Sequence, residues 1–376
     1  MSDIKLSLQN VDKFYGDKTH GVHAVRDLSL DVNAGEIVAL LGSSGCGKTS
    51  TLRMIAGFEE VSEGDIMLSG KKLNRLAPMK RQVAMAFEGY SLYPPLTVRD
   101  NIGFALKASR LSATEISRQV EDIAEMLEIS NILDRYPGSI SGGQQQRASL
   151  GRALIRNAEL HLLDEPMGQL EPQLRALLRG RIKHYLKEKG LTAILVTHDQ
   201  AEANALADRI AVMEDGTIQQ FDTPLAIKEQ PANLFSGTFI GEPPMNVFHA
   251  DLSSDDQSIR FSLSGDTVSL QYALKDFSAA VVNALTGLDK VVLGVRPYAV
   301  RRQQHKGLDA TVVVNQWLGD QSHIAADFAG QTIVLVEHDR ALDKPGDTLP
   351  VYLDPSSLHL FDPVSGVAIS HGTELA

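Results

Sequence analysis

The segment Gly42-Ser43-Ser44-Gly45-Cys46-Gly47-Lys48-Thr49 constrains the fold of this chain more than any other. It matches the pattern G-x-x-x-x-G-K-[ST], whose glycines let backbone N–H groups point inward at phosphate oxygens. An apolar run at 37–41 precedes the segment, and residues 51–56 have a helical pattern. This strand–loop–helix order predicts a phosphate-binding loop in a mostly parallel α/β sheet.

The loop supplies candidate ligands for a nucleotide and a metal ion. Lys48 would reach the β and γ phosphates as a point charge, and the Thr49 hydroxyl would ligate Mg²⁺. The helix that begins here presents its positive end to phosphates, and the predicted binding segment runs on to Ser50. Cys46 fills a position that the motif leaves free, so we interpret it as unconstrained. A bulky thiol reagent at Cys46 is expected to block nucleotide binding.

Composition and charge limit the class of protein. The chain has 376 residues, 43% hydrophobic and 22% charged, which is typical of a globular protein of about two domains. No apolar run reaches the roughly 18–20 residues of a membrane helix. The single cysteine and the polar first residues predict a soluble protein of a reducing compartment. The net charge of −11 argues against general nucleic-acid binding.

The pattern along the chain changes near residue 237. Residues 1–237 alternate apolar runs, at 160–163 and 193–196, with a helical pattern over 114–127 that Ser112 and Glu115 can cap. Residues 238–376 hold short β-like runs instead, which predict an all-β domain, either a small barrel or a sandwich. This second part carries 17 acidic against 9 basic side chains, and therefore most of the net negative charge.

Two further motifs follow the phosphate loop. Leu160-His161-Leu162-Leu163-Asp164-Glu165 is a mostly apolar strand that ends in two acids, which after a phosphate loop forms a Walker B arrangement. Asp164 would hold the Mg²⁺ shell, and Glu165 would polarise the attacking water as general base. Alone, the pattern also fits a strand end with two solvated acids. Between the motifs, Ser141-Gly142-Gly143-Gln144 begins a helix whose cap and free N–H groups suit an anion.

Ser141-Gly142-Gly143-Gln144, placed between a phosphate loop and Asp164-Glu165, resembles the signature of ATP-binding cassette (ABC) proteins. The resemblance implies a head-to-tail dimer, with ATP between the phosphate loop of one subunit and the signature of the other. It also implies that His198 contacts the γ-phosphate and that Tyr15 stacks on adenine. We therefore expect ATP and Mg²⁺ as cofactors, and Glu165 and His198 as catalytic residues.

Other segments resemble the importer subgroup typified by the maltose transporter ATPase; they are 52–57, 91–94, 97–102, 239–246, 294–297 and 358–362. The resemblance implies a P-loop (RecA-like) core at 1–237, with a helical subdomain at about 89–157, and an OB-like regulatory domain at 238–376. It implies a peripheral subunit on the cytoplasmic face of the inner membrane that powers uptake of a carbohydrate or polyol. The implied partners are two transmembrane permease subunits, a second ATPase subunit and, indirectly, a solute-binding protein. Tyr93 and Pro94 would lie near the surface that receives the membrane subunits.

Two positions depart from the family pattern. Glu88 stands where a glutamine is expected to give an oxygen to Mg²⁺, and its carboxylate is also an oxygen ligand but adds charge beside the γ-phosphate. Gly168-Gln169-Leu170-Glu171 replaces a Ser-x-Leu-Asp type loop that carries communication between the two sites. An asymmetric dimer with a more typical ATPase subunit and a homodimer with tolerated drift both remain open.

The sequence is also compatible with two alternatives to an ATP-hydrolysing import subunit. The first is a regulatory or structural subunit that binds ATP but turns over slowly, as Glu88 would favour. The second is a soluble ABC protein of translation or DNA repair, which usually carries two cassettes or a long coiled coil, and neither pattern occurs here. We expect no nucleic-acid partner, because the OB-like tail is acidic. The transported substrate is not encoded in these motifs.

Overall fold

The computed structural model describes residues 3–17, 20–263 and 268–372, and the chain divides into two compact units, Met1–Pro224 and Leu225–Ala376. In chain order the first unit contains β1 (Ile4–Tyr15), β2 (Val22–Asn33), β3 (Ile37–Gly42), α1 (Lys48–Ala56), β4 (Glu63–Leu68), β5 (Lys71–Lys72), β6 (Val83–Ala86), α2 (Val98–Gly103), α3 (Ala113–Met126), α4 (Gly142–Leu154), β7 (Leu160–Asp164), α5 (Pro172–Glu188), β8 (Ala193–Thr197), α6 (Gln200–Leu206), β9 (Arg209–Glu214) and β10 (Thr217–Asp222). None of the helices in the described residues combines the length and the hydropathy that a membrane span requires.

A six-stranded sheet with the order β10-β9-β3-β8-β7-β6 forms the centre of the first unit. The strands from β9 to β6 are parallel, and β10 pairs with β9 in the antiparallel direction. Strands β3, β7 and β8 are buried along their whole length, which explains their continuous apolar runs. The predicted parallel α/β core is therefore confirmed.

A smaller antiparallel sheet with the order β2-β1-β4-β5 shares its core with the central sheet. Leu6 and Leu8 of β1 lie in one apolar cluster with Leu40 of β3 and with Leu52 and Ile55 of α1. Helix α1, which follows the phosphate loop, therefore packs in one core with strands of both sheets. Because β3 and α1 are both buried there, the two ends of the loop between them are held in place.

Helices α2, α3 and α4 lie within residues 89–157, the segment predicted to form a helical subdomain. Helix α3 begins at the predicted cap, where Ser112 and Glu115 form a capping box. Val120 and Ile123 are buried on its inner face, where Val120 lies next to Gly103 of α2 and Ile123 next to Gly151 of α4. The helix predicted over 114–127 is confirmed to within about one residue at either end.

The second unit is built mainly from strands. It contains, in chain order, α7 (Pro224–Glu229), α8 (Leu234–Phe239), β11 (Asn246–Ser254), β12 (Ser258–Leu263), β13 (Val268–Ala273), α9 (Ala279–Leu285), β14 (Lys290–Val295), β15 (Arg301–Arg302), β16 (Leu308–Trp317), β17 (Ser322–Phe328), β18 (Gln331–Glu337), β19 (Thr348–Tyr352), β20 (Leu358–Phe361) and β21 (Ala368–His371). Two antiparallel sheets, β13-β12-β11-β14-β20-β21 and β15-β19-β16-β17-β18, enclose a core that includes Phe248, Phe261 and Phe328. The β-rich architecture is confirmed, and the short helix α9 was not predicted.

The boundary between the units differs from the predicted position at residue 237. The structure divides the chain after Pro224, because the segment with α7 and α8 packs within the second unit. The buried guanidinium of Arg296 donates hydrogen bonds to the carbonyl oxygens of Lys228 (2.9 Å), Gly237 (2.7 Å) and Ile240. The glycine and proline residues near 241–244 therefore mark a bend inside the second unit, and not its start.

Candidate functional site

The predicted site residues follow four neighbouring strands of the central sheet. The phosphate loop (residues 42–49) follows β3, His198 follows β8, Asp164 ends β7, and Glu88 lies two residues after β6. These strands are adjacent and parallel in the order β3-β8-β7-β6, so their carboxyl ends meet at one edge of the sheet. In open α/β sheets this edge is where ligands bind.

The backbone of the phosphate loop requires glycine for steric reasons. A Cβ atom on Gly42 would lie 2.3 Å from the carbonyl oxygen of Met213, and one on Gly47 would lie 2.5 Å from that of Ala24. Gly45 and Gly47 have φ angles of 84° and 100°, in the left-handed region. Gly47 caps the N-terminus of α1, so the free N–H groups of that helix open into the loop.

Lys48 is held inside the loop. Its Nζ atom donates to the carbonyl oxygens of Gly42 and Ser43, both at 2.8 Å, and the residue is 7% exposed. The ammonium therefore lies among the backbone groups that would surround a phosphate. Ser43, Ser44 and Gly45 form the exposed rim of the same loop.

The interpretation of Cys46 as an unconstrained position is wrong. Its side chain is 2% exposed and belongs to the apolar cluster that joins the two sheets. Its sulfur lies 3.7 Å from Nζ of Lys48. A bulky reagent cannot reach this thiol in the folded chain, because the sulfur is enclosed by core residues.

Carboxylate and hydroxyl oxygens converge beside the loop. The Thr49 hydroxyl lies 3.5 Å from Oδ1 of Asp164, which is 3% exposed. Burial, together with the negative charges of Glu88 and Glu165, raises the pKa of Asp164 to about 6. A carboxylate that is crowded in this way would be stabilised by a cation. Oxygen donors of this kind suit Mg²⁺, which proteins usually hold through one or two carboxylates together with substrate phosphates.

No group of three or more His, Cys, Asp or Glu side chains with the geometry of a metal site occurs in the described part of the chain.

Glu165 and His198 are brought into direct contact. Nδ1 of His198 lies 2.9 Å from the Glu165 carboxylate, whose side chain is 16% exposed while that of His198 is 68% exposed. Glu165 has a φ of 47°, which is uncommon for a residue with a side chain. The pair places a carboxylate and an imidazole at the open end of β7 and β8.

Tyr15, at the end of β1, lies beside the first turn of α1. Its hydroxyl is 3.1 Å from Oγ of Ser50, and its ring is 38% exposed. Nζ of Lys13 lies 4.7 Å from the ring centroid, on one face of the ring. The aromatic ring is thus near the phosphate loop, as the proposed adenine contact requires.

The signature residues are not brought to the phosphate loop of their own chain. Ser141 caps α4, and the capping box links it to Gln144 through bonds of 3.3 and 3.0 Å. No hydrogen bond in the described residues joins this pair to the loop at 42–49. A Cβ atom on Gly143 would instead lie 3.1 Å from the carbonyl oxygen of Gln169.

The structure adds polar residues that sequence reasoning missed. Arg175 and Arg179 of α5 both bind Asp199, at 2.9 and 3.2 Å, and Asp199 caps α6 by accepting from the backbone N–H of Glu202. Arg175 and Arg179 are four residues apart on one helix face, and this spacing in the sequence could have indicated a shared partner. Gln146 is a further buried polar residue, with hydrogen bonds to the backbone of Glu165 and of Gln169.

Comparisons with known proteins agree with this geometry. Residues 25–168 match the family described as ABC transporter, and residues 293–361 match the TOBE domain. The xylose/arabinose import ATP-binding protein XacK of Haloferax volcanii is 40% identical over 98% of this chain and 96% of its own length. The sulfoquinovosyl glycerol transport ATP-binding protein SmoE of Agrobacterium fabrum is 37% identical over 95% of this chain and 97% of its own.

A solved structure is also similar to the first part of the chain. The ATP-binding cassette MJ0796, determined as a dimer in a post-hydrolysis state with ADP and Pi, has a TM-score of 0.54 and 27% identity. The similarity covers 58% of this chain and 98% of that one.

Proposed function

Because this chain belongs to the ABC transporter family as an ATP-binding subunit, we propose that it powers the uptake of a carbohydrate or polyol through partner membrane subunits. The observation that carries the proposal is the convergence of the phosphate loop, Asp164, Glu165 and His198 at one edge of the parallel sheet. The choice of a carbohydrate is supported by the named relatives, which import xylose and arabinose or transport sulfoquinovosyl glycerol.

In this proposal the phosphate loop binds the phosphates of ATP. The N–H groups of residues 43–50 and the ammonium of Lys48 contact phosphate oxygens, and Tyr15 stacks on the adenine. Thr49, Asp164 and Glu88 hold Mg²⁺, which neutralises charge on the phosphates. Glu165 accepts a proton from the attacking water, and His198 keeps the Glu165 carboxylate oriented while its exposed side faces the γ-phosphate.

A second subunit completes each site. The signature residues Ser141, Gly142, Gly143 and Gln144 lie at a helix N-terminus that has no hydrogen bond to residues 42–49 in the described part of the chain, so we infer that they contact ATP on a partner ATPase subunit. Ser141 and Gly142 are exposed, as this contact needs. The dimeric cassette that resembles this chain supports the arrangement.

Two permease subunits dock, in this proposal, on an exposed aromatic surface of the helical region, and a solute-binding protein acts through them. Tyr93 and Phe104 have ring centroids 4.9 Å apart and are 44% and 45% exposed. The guanidinium of Arg152 lies 5.2 Å from the Tyr93 centroid. This docking would place the chain on the cytoplasmic face of the inner membrane.

The test is Mg²⁺-dependent ATP hydrolysis by the full chain and by Glu165→Gln. We expect the variant to lose at least about a hundredfold in kcat while its affinity for ATP is retained, since a general base contributes roughly 10²–10⁴-fold. Hydrolysis by Glu165→Gln at the rate of the unmodified chain would refute the assigned role.

A second candidate is a subunit of low turnover in an asymmetric ATPase dimer. It is favoured by Glu88, whose negative charge raises the pKa of the neighbouring Asp164 and would oppose the γ-phosphate. Glu88→Gln should then raise kcat clearly. Mass measurement of the intact transporter decides the composition, because two copies of this chain in one complex reject the asymmetric dimer.

A further inference from the structure

One buried side chain connects the signature helix to the turn that carries Glu165. Gln146 lies in α4, two residues after the signature, and is 3% exposed. Its Nε2 donates to the carbonyl oxygen of Glu165 at 2.9 Å, and its Oε1 accepts from the backbone N–H of Gln169 at 3.0 Å. Both ends of the amide are therefore used, and they hold the two ends of the turn at 165–169.

The backbone of Glu165 needs such support. Its φ of 47° is a left-handed conformation that costs free energy in a residue with a side chain and persists only where the surroundings impose it. The N–H of Glu165 donates to Val196 at 2.9 Å, and its carbonyl accepts from Gly168 at 3.3 Å as well as from Gln146. These bonds fix the direction in which the Glu165 side chain leaves the backbone, and hence its contact with His198.

The first turn of α4 also lies close to the 168–171 loop at a second point, Gly143. Gly143 lies so close to the loop that an added Cβ atom would be 3.1 Å from the carbonyl oxygen of Gln169 and 3.3 Å from a side-chain carbon of Leu170. We therefore expect a displacement of the first turn of α4 toward the 168–171 loop to move that loop, and a displacement away from it to strain the bonds of Gln146.

We propose that Gln146 is a positioning residue that couples the signature turn of this chain to its own Glu165. It holds the Glu165 backbone in the left-handed conformation, and so keeps the carboxylate where it can accept a proton from water. When the signature contacts a nucleotide bound to the partner subunit, the effect would then be transmitted through Gln146 to Glu165, the base of this chain's own site. This inference rests on the role proposed above for Glu165.

The experiment compares Gln146→Met with the matched variant Gln145→Met in ATP hydrolysis and ATP binding. Gln145 also donates two hydrogen bonds to carbonyl oxygens, those of Pro137 and Ile140 at 3.1 and 3.3 Å, but neither lies in the Glu165 turn. We expect Gln146→Met to lower kcat by at least about tenfold, since small misplacements of a catalytic group can cost up to 10²-fold. The Kd for ATP should stay within about twofold, and Gln145→Met should keep its kcat.

A second variant separates positioning from a general loss of structure. In Gln146→Glu the introduced carboxylate still accepts from Gln169, but only its protonated form can donate to the Glu165 carbonyl. The kcat of this variant, divided by that of the unmodified chain, should therefore rise as the pH falls from 8 to 6. This measurement decides the question if Gln146→Met does not fold.

The outcomes distinguish the two proposals. If Glu165→Gln is inactive but Gln146→Met keeps its kcat, or loses kcat and ATP affinity equally, the coupling is refuted and the role of Glu165 stands. A flat pH ratio for Gln146→Glu also refutes the coupling. If Glu165→Gln hydrolyses ATP normally, the role of Glu165 itself fails.

Discussion

Glu202 provides the sharpest test of the electrostatics beneath the site. It lies in α6, is 2% exposed, and accepts a hydrogen bond from the Thr197 hydroxyl at 2.8 Å. Its pKa is raised from 4.5 to about 7, mainly by burial and also by the charges of Asp199 and Glu165, while the Thr197 hydrogen bond and the charge of Arg179 lower it. We therefore predict that Glu202→Gln changes how the stability of the first unit depends on pH.

The sign and size of the change follow from the two pKa values. In the unfolded chain the carboxyl loses its proton near pH 4.5, whereas in the folded chain it keeps the proton until about pH 7. The stabilisation is complete below pH 4.5 and is lost as the pH rises through 7. At about 1.4 kcal/mol per unit, the loss amounts to about 3 kcal/mol. The amide of Glu202→Gln stays neutral and can still accept from Thr197, so this loss should be absent.

The assay is urea unfolding between pH 5 and pH 8. Far-UV circular dichroism follows the first unit, which contains the longer helices, while the fluorescence of the single tryptophan, Trp317, follows the second unit. We expect Glu202→Gln to exceed the unmodified chain in unfolding free energy by up to about 3 kcal/mol at pH 8, and to match it near pH 5. Glu125→Gln, at an exposed position of α3, is the control. Parallel pH profiles for Glu202→Gln and the unmodified chain would refute the reasoning.

Three further predictions concern other parts of the chain. Arg296→Met should lower the unfolding free energy of the second unit by about 3 kcal/mol, measured by tryptophan fluorescence, because buried carbonyls lose their donors; the exposed Arg301→Met should change it little. Gly47→Ala should abolish binding of a fluorescent ATP analogue, because the φ of Gly47 is 100° and an added Cβ has no room. The control Gly180→Ala should bind the analogue normally, because its Cβ would lie in open space. Cys46 should react with a bulky thiol reagent only as fast as the chain unfolds, and equal labelling rates in the native and urea-unfolded chain would contradict its burial.

The parts of the site that lie in short, continuous segments could be predicted from the sequence. The phosphate loop and the acids at the end of β7 follow buried strands directly, and the parallel sheet then brings their carboxyl ends together. The helix caps at Ser112 and Ser141 could also be predicted from the sequence, because each capping box joins residues only three positions apart.

Contacts between distant residues could not be predicted in this way. Gln146 binds Glu165 and Gln169, and Arg175 binds Asp199, and each pair is 19 to 24 positions apart in the sequence. Local patterns do not indicate which loop packs on which helix. The burial of Cys46 was missed for the same reason, since the residues that enclose it come from several strands. In the second unit, the pairings β11–β14, β14–β20, β16–β19 and β15–β19 also join strands that do not follow each other in the chain.

The position of the unit boundary has a practical consequence for exchanging parts between related transporters. In a second unit joined to a foreign ATPase core after residue 237, positions 228 and 237 would both come from foreign sequence, so two of the carbonyls that Arg296 binds would be positioned by a segment not matched to this unit. A junction after Pro224 carries the guanidinium and all of its acceptors together. Hybrids joined at 224 should therefore be soluble and active more often than hybrids joined at 237. The segment with α7 and α8 therefore belongs with the second unit in any such exchange.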